Sequence, residues 1–198
     1  SNTVSVINTA TGTAVTTIPV GGGTNPFGVA VAPNGARVYV TKNSAASIGV
    51  IDPATNSVVA SIAVGQSPRH LAISPDSARA YVTNNNSGTV SVVNLATNTV
   101  VAAPFIGTGP AGVDIAPDGS RVFVALQGDQ AVVVINTATN TVTHTVNGVG
   151  NATGLALTPD GTKAYVSDYA GGKVSVINTL TNAVTKTIAV GIHAYEVA

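Results

Sequence analysis

The sequence predicts an all-β fold, a β-propeller of four-stranded antiparallel blades with about 42 residues per repeat. Three observations carry this. The stretch Ser5-Val6-Ile7-Asn8 returns as Gly49-Val50-Ile51-Asp52, Ser91-Val92-Val93-Asn94, Val133-Val134-Ile135-Asn136 and Ser175-Val176-Ile177-Asn178, at spacings of 44, 42, 42 and 42 residues. Each period holds four short runs rich in β-branched residues, separated by Gly, Asn, Asp and Pro. No window shows the i, i+3, i+4 apolar spacing of a helix, which excludes a helical solenoid.

The four strands of a repeat follow in order. Strand A is expected at Phe27–Ala32, Arg69–Ser74, Ala111–Ala116 and Thr153–Thr158. It ends in Pro33-Asn34-Gly35, Pro75-Asp76-Ser77, Pro117-Asp118-Gly119 or Pro159-Asp160-Gly161. Proline presets φ and Asn or Asp tolerates a left-handed backbone, so these segments are tight turns. Strand B follows at Arg37–Val40, Arg79–Val82, Arg121–Val124 and Lys163–Val166. Strand C is the recurring stretch itself. Strand D is expected at Ala14–Val20, Val58–Val64, Val100–Ile106, Thr141–Val146 and Ala183–Val190, after turns at Thr11-Gly12, Thr55-Asn56, Thr97-Asn98, Thr139-Asn140 and Thr181-Asn182.

The chain reads as one propeller domain or a propeller fragment. Blades span 26–64, 68–106, 110–148 and 152–190. Strands C and D of a split fifth blade fill 1–20, and a final strand A fills 193–198. Strand B of that blade is missing: Ala198 aligns with Ala156 and Ser1 with Gly171, a gap of 14 residues. Either the chain is a fragment of a longer propeller, the favoured expectation, or residues follow Ala198, or self-association completes the blade.

These segments resemble the YVTN repeat of archaeal surface-layer proteins and bacterial exported propellers. Tyr81-Val82-Thr83-Asn84 is the full motif, with Tyr39-Val40-Thr41-Lys42 and Tyr165-Val166-Ser167-Asp168 close to it. The Pro-Asp-Gly and Ser-Val-Ile-Asn segments match too, so the resemblance covers essentially the whole chain. Phe123-Val124-Ala125-Leu126 departs from it, which marks the third B–C loop as a candidate for specialisation. The resemblance implies an extracellular, cell-surface or periplasmic location and a scaffold role. Similar propellers include lactonase-like enzymes, so it implies a shape more than a reaction.

Composition narrows the partners. Eight basic and eight acidic residues cancel, which argues against nucleic acid, since phosphate binding needs a basic excess. The absence of Cys removes disulfides, thiolate metal sites and a Cys nucleophile. No apolar run reaches the 18 residues of a membrane span, and the first residues show no charged-then-apolar signal pattern.

Candidate site residues emerge where the repeats differ. Gly28, Gly112 and Gly154 share a column of strand A with His70 and Glu196. Two residues on, Ala30, Ala72, Ala156 and Ala198 are matched by Asp114. One place before the glycine column, Arg69 and Tyr195 stand where Phe27, Ala111 and Thr153 stand elsewhere, and His193 lies just before Tyr195. Arg69, His70, Asp114, His193, Tyr195 and Glu196 therefore form a candidate site at one mouth of the channel. One reading makes them water-contacting residues with Asp114 paired to Arg69 or His70. The other makes them a polar ligand site. His70, Asp114, His193 and Glu196 are metal-ligand types, but no spacing fixes them, so neither a metal nor a cofactor is expected.

Other signals are weaker. Gly107-Thr108-Gly109-Pro110-Ala111-Gly112 fits G-x-G-x-x-G, but no helix follows it, so it reads as a D–A loop. Gly21-Gly22-Gly23 carries the insertion behind the 44-residue spacing. Asn85-Asn86-Ser87 and Asn151-Ala152-Thr153 are glycosylation sequons, and His144 is expected to face solvent. No Gly-x-Ser-x-Gly elbow appears, so no catalytic residue is assigned. The expected role is a non-enzymatic scaffold binding a protein or glycan through the D–A and B–C loops. The alternative is a lactonase-like hydrolase or an accessory to a periplasmic oxidation pathway.

Overall fold

The computed structural model describes residues 2–198. A hairpin of β1 (Thr3–Asn8) and β2 (Thr13–Pro19) precedes four four-stranded antiparallel sheets. The first sheet holds β3 (Pro26–Val31), β4 (Val38–Lys42), β5 (Ser47–Asp52) and β6 (Ser57–Ala63). The second holds β7 (Pro68–Ile73), β8 (Arg79–Asn84), β9 (Thr89–Asn94) and β10 (Thr99–Ala102). The third holds β11 (Pro110–Ile115), β12 (Arg121–Leu126), β13 (Ala131–Asn136) and β14 (Thr141–Asn147). The fourth holds β15 (Ala152–Leu157), β16 (Lys163–Asp168), β17 (Lys173–Asn178) and β18 (Ala183–Ala189). In each sheet the strands pair in chain order, the meander of a propeller blade. The inner strands β3, β7, β11 and β15 pack side by side around the axis.

Turn chemistry sets the blades' ends. In the A–B turns, Oδ1 of Asn34, Asp76, Asp118 and Asp160 accepts the N–H two residues on, at 2.9 to 3.0 Å. The next residue, Gly35, Ser77, Gly119 or Gly161, then takes a positive φ. The C–D turns do the same with the last residue of the recurring stretch: Oδ1 of Asn8, Asp52, Asn94, Asn136 and Asn178 accepts the N–H two residues on. The Asn of the Ser-Val-Ile-Asn stretch is thus a turn former.

The core lies between blades rather than within one. Ala80, Val82 and Val93 pack with Tyr39, Ile48 and Val50 of the first blade. Tyr81, Val90 and Val92, on the opposite face of the same sheet, pack with Val122, Val124 and Val133 of the third. A further seam joins Phe123, Val132 and Val134 to Leu155, Ala164 and Ile177. The terminal hairpin closes on the first blade through Ile18 and Val20 against Val40 and Ile51. Sheets buried on both faces need apolar residues at consecutive positions, which explains Val-Val-Val-Ile runs in place of strict alternation. Arginine staples the rims: Arg79 donates to the Thr137 carbonyl one blade on, at 3.0 Å, and Arg121 donates to the Thr179 carbonyl.

The third residue of the Tyr-Val-Thr-Asn motif ties inner strands together. Thr83 Oγ1 accepts the His70 N–H at 3.0 Å and donates to the Ala111 carbonyl of the next blade at 2.8 Å. Thr41 accepts Gly28 N–H and donates to Arg69 O, and Ser167 accepts Gly154 N–H and donates to Tyr195 O. Ala125 has no hydroxyl at the corresponding place. The glycine column follows from the same closeness: a Cβ on Gly28, Gly112 or Gly154 would lie 2.5 to 2.6 Å from the carbonyl oxygen of Arg69, Thr153 or Tyr195.

Three expectations need correction. The A strands begin one residue early, at Pro26, Pro68, Pro110 and Ala152. The third D strand stops at Ala102 instead of reaching Ile106. Pro104 has no N–H to continue the ladder, and only an isolated bridge from Thr89 to Phe105 follows. Residues 193–198 form no ladder strand. They still run in an inner strand's place, held by Ser167 and Thr153 on Tyr195 O. The alignment of Ser1 lies outside the described residues.

Candidate functional site at the channel mouth

The hydroxyl ties that join the blades also place the site. Thr41 fixes the backbone of Arg69, Thr83 that of His70, and Ser167 with Thr153 that of Tyr195. Each of these residues begins its inner segment, so their side chains gather where the D–A and B–C loops meet the channel.

Five rings form a continuous run. Phe27 meets His70 edge-on at 5.1 Å and Tyr195 at 6.4 Å. Tyr195 meets Tyr169 edge-on at 6.0 Å, and Tyr169 meets His193 at 4.9 Å. The Arg69 guanidinium sits 5.8 Å from the Phe27 ring centre. Phe27, Tyr169 and Tyr195 remain 41, 36 and 39% exposed. A polar row runs beside the rings: Arg69 Nη1 donates to Gln127 Oε1 at 3.0 Å, and Gln127 Nε2 donates to Asn151 Oδ1 at 3.1 Å.

His70 Nε2 lies 3.2 Å from Glu196 Oε1, across the channel from one inner segment to another. Burial, reinforced by the Arg69 charge, pushes the imidazole pKa down to about 4. His70 is therefore neutral at pH 7, and the contact is a hydrogen bond from Nε2–H to a carboxylate rather than an ion pair. Partial desolvation raises the Glu196 pKa, although 56% of its side chain stays exposed.

Of the six sequence-derived residues, the structure brings five together: Arg69, His70, His193, Tyr195 and Glu196. Asp114 stands apart, one layer further along its strand. Its carboxylate accepts the backbone N–H groups of Ile115 and Leu157, both at 2.8 Å, and is not paired with Arg69 or His70. Burial raises its pKa, with these two hydrogen bonds opposing. It is a tie between the third and fourth blades. Sequence reasoning missed Phe27, Gln127, Asn151 and Tyr169. Gln127 and Tyr169 occupy the loop position of Asn43 and Asn85, which donate to Pro68 O and Pro110 O. That change along the chain was the available signal, and it includes the third B–C loop that departs from the motif.

Both sequons are engaged. Asn85 Nδ2 donates to Pro110 O, and Asn151 Oδ1 accepts from Gln127. His144 is exposed, as expected. Among the described residues, no group of three or more His, Asp or Glu gathers to hold a metal, and no helix is long and apolar enough to cross a membrane. Cavities of about 530, 330 and 450 Å³ open on the opposite, A–B turn side, between blades two and three, between one and two, and beside Val197.

A family profile described as "Domain of unknown function (DUF5074)" matches residues 57–197. No curated protein matches the chain. Among solved structures, Kuenenia stuttgartiensis hydrazine synthase is similar at 26% identity and a TM-score of 0.82, over 85% of this chain and 50% of that one. A functionally unknown protein from Desulfotomaculum acetoxidans is similar at 20% identity and a TM-score of 0.82, over 98% of this chain and 66% of that one. The chain thus spans half the length of the first and just under two thirds of the second.

Proposed function

The chain belongs to the DUF5074 family, and from that premise we propose that it is a non-enzymatic propeller module that binds a partner through its D–A and B–C loop face. The observation that carries this is the mouth cluster. Four of the eight aromatics, Tyr39, Tyr81, Phe123 and Tyr165, occupy one repeated strand-B position, where the seams need bulk. Phe105 lies on an outer segment. The other three, Phe27, Tyr169 and Tyr195, come from separate inner segments or loops, converge at the mouth and stay over a third exposed. Exposed aromatics beside Arg and planar amides are the composition of binding surfaces.

The resemblance to YVTN-repeat surface-layer and exported propellers supports an extracellular, cell-surface or periplasmic setting, with an envelope protein or glycan as partner. The test is sedimentation of the purified chain with isolated cell envelopes. The variant Arg69→Ala/Gln127→Ala/Tyr169→Ala is expected to lose binding while its circular dichroism is unchanged. Full binding by a folded triple variant would sink the proposal.

The His70–Glu196 contact favours a second reading, hydrolysis at the mouth. A neutral imidazole beside a carboxylate can accept a proton from water. Turnover of lactone substrates that survives His70→Ala and Glu196→Ala would reject these two as its acid–base pair. The name of the hydrazine synthase neighbour adds no residue roles, since the likeness spans half of that chain.

A further inference from the structure

Resting on the binding-face reading, we infer that the mouth platform takes a neutral saccharide, stacked on Tyr195 and Phe27 and hydrogen-bonded by Arg69, Asn151 and Glu196. A sugar ring presents C–H groups on its faces and hydroxyls around its rim. Its complement is an exposed aromatic surface bordered by planar groups with fixed donors and acceptors. The mouth has both. The ring run supplies the surface: Phe27 is held edge-on by His70 and Tyr195 edge-on by Tyr169, and Phe27 and Tyr195 lie tilted to one another at 6.4 Å. The Arg69–Gln127–Asn151 row supplies the border, and its internal hydrogen bonds fix the planes of all three groups. Those bonds use one Arg69 nitrogen and the Asn151 oxygen, so other guanidinium N–H groups and the Asn151 amide N–H groups point to no protein acceptor along that row. Glu196 keeps an acceptor oxygen beyond the one that faces His70.

Charge sets the class of sugar. Arg69 and Glu196 offset one another, and His70 is neutral at pH 7. Neither an anionic polymer nor a cation finds a surplus of opposite charge. The rings touch one another at 4.9 to 6.4 Å and leave no gap for an ammonium group between them, which argues against an aromatic cage. The surroundings set the size. Two of the flanking D–A loops are rich in glycine, with Gly21, Gly22 and Gly23 in one and Gly148 and Gly150 in another, while a third exposes Val190 and Ile192. A stable protein interface needs roughly 800 Å² per partner. One or two sugar residues need far less, and an open platform admits them from within a longer chain.

The experiment is a ¹H–¹⁵N NMR titration of the chain with cellohexaose, chitohexaose, mannohexaose and hexagalacturonate. At least one neutral oligomer is expected to shift residues 69–70, 127, 151, 169 and 195–196 saturably. Tyr195→Ala should weaken that binding by about tenfold or more, the loss of one stacked ring plus its buried area. Phe105→Ala, an exposed aromatic away from the mouth, should leave it unchanged. Binding of hexagalacturonate alone, saturable shifts confined to the A–B turn side, or equal affinity in folded Tyr195→Ala each overturn the inference. If no oligomer shifts the mouth but the triple variant still loses envelope binding, the saccharide inference falls and the binding face stands. If neither effect is seen, both fall.

Discussion

Replacing Thr83 by valine removes one oxygen and keeps the shape. The oxygen is fully buried and serves two backbone groups, the His70 N–H at 3.0 Å and the Ala111 carbonyl at 2.8 Å. Water has no access there, so both groups lose their hydroxyl partner at once. Each unsatisfied buried group costs about 1–3 kcal/mol, so Thr83→Val should cost about 2–6 kcal/mol. Thr83→Ser keeps the hydroxyl and loses only a buried methyl, about 1 kcal/mol. In a chain of this size 1 kcal/mol moves Tm by about 2–4 °C, so valine should lower Tm by roughly 4–24 °C and serine by a few. Urea unfolding followed by far-ultraviolet circular dichroism measures all three proteins. The third blade provides the reciprocal case: Ala125→Ser places a hydroxyl between Gly112 N–H and Thr153 O and should stabilise by up to about 1 kcal/mol. Valine costing no more than serine would refute the hydroxyl tie as the reason for Thr in the motif.

Three further outcomes follow from the geometry. His70 has a pKa near 4 when folded against an ordinary 6.5, so the unfolded chain takes up the proton first; stability should fall by up to about 3 kcal/mol as pH drops from 6.5 to 4, and His70→Gln should flatten that slope in urea titrations. Asp114 and Glu196 act in the opposite sense: their raised pKa values favour the protonated folded state, a contribution present at low pH and lost as pH rises through the folded pKa. Gly154→Ala puts a Cβ 2.6 Å from Tyr195 O, so it should cost about 1–3 kcal/mol and speed protease cleavage within residues 191–198; equal cleavage rates would contradict the packing of that segment. Asp114→Ala strips the acceptor from Leu157 N–H and should cost about 1–3 kcal/mol while leaving binding at the mouth intact, which an envelope assay on the folded variant would check.

The fold was legible because every blade repeats the same turn and seam chemistry. Asn8, Asp52, Asn94, Asn136 and Asn178 each close a turn, and a signal repeated five times stands out. What failed was local. Pro104 ends β10 early through a missing N–H, and residues 193–198 follow an inner strand's path, held through Tyr195 O, without forming a ladder. The site was half legible. His70 and Glu196 break a column of glycines, Arg69 and Tyr195 stand out in the column before it, and strands transmit position faithfully. Asp114 broke its column too, but its oxygens are satisfied by backbone N–H groups, a pairing that side-chain identity does not reveal. Gln127, Asn151 and Tyr169 lie in loops, where contact depends on loop path as well as register. Phe27 was read as one of the ordinary residues of its column, although its ring joins His70 to Tyr195.

The loop face, and not the A–B turn face, is the surface proposed to engage the partner. Site-specific photo-cross-linking on isolated envelopes tests it directly, with a benzophenone side chain placed at Tyr169 in one protein and at Asp160, in an A–B turn, in another. A discrete cross-linked product is expected from position 169 and none from 160. A product from 160 with none from 169 would contradict it.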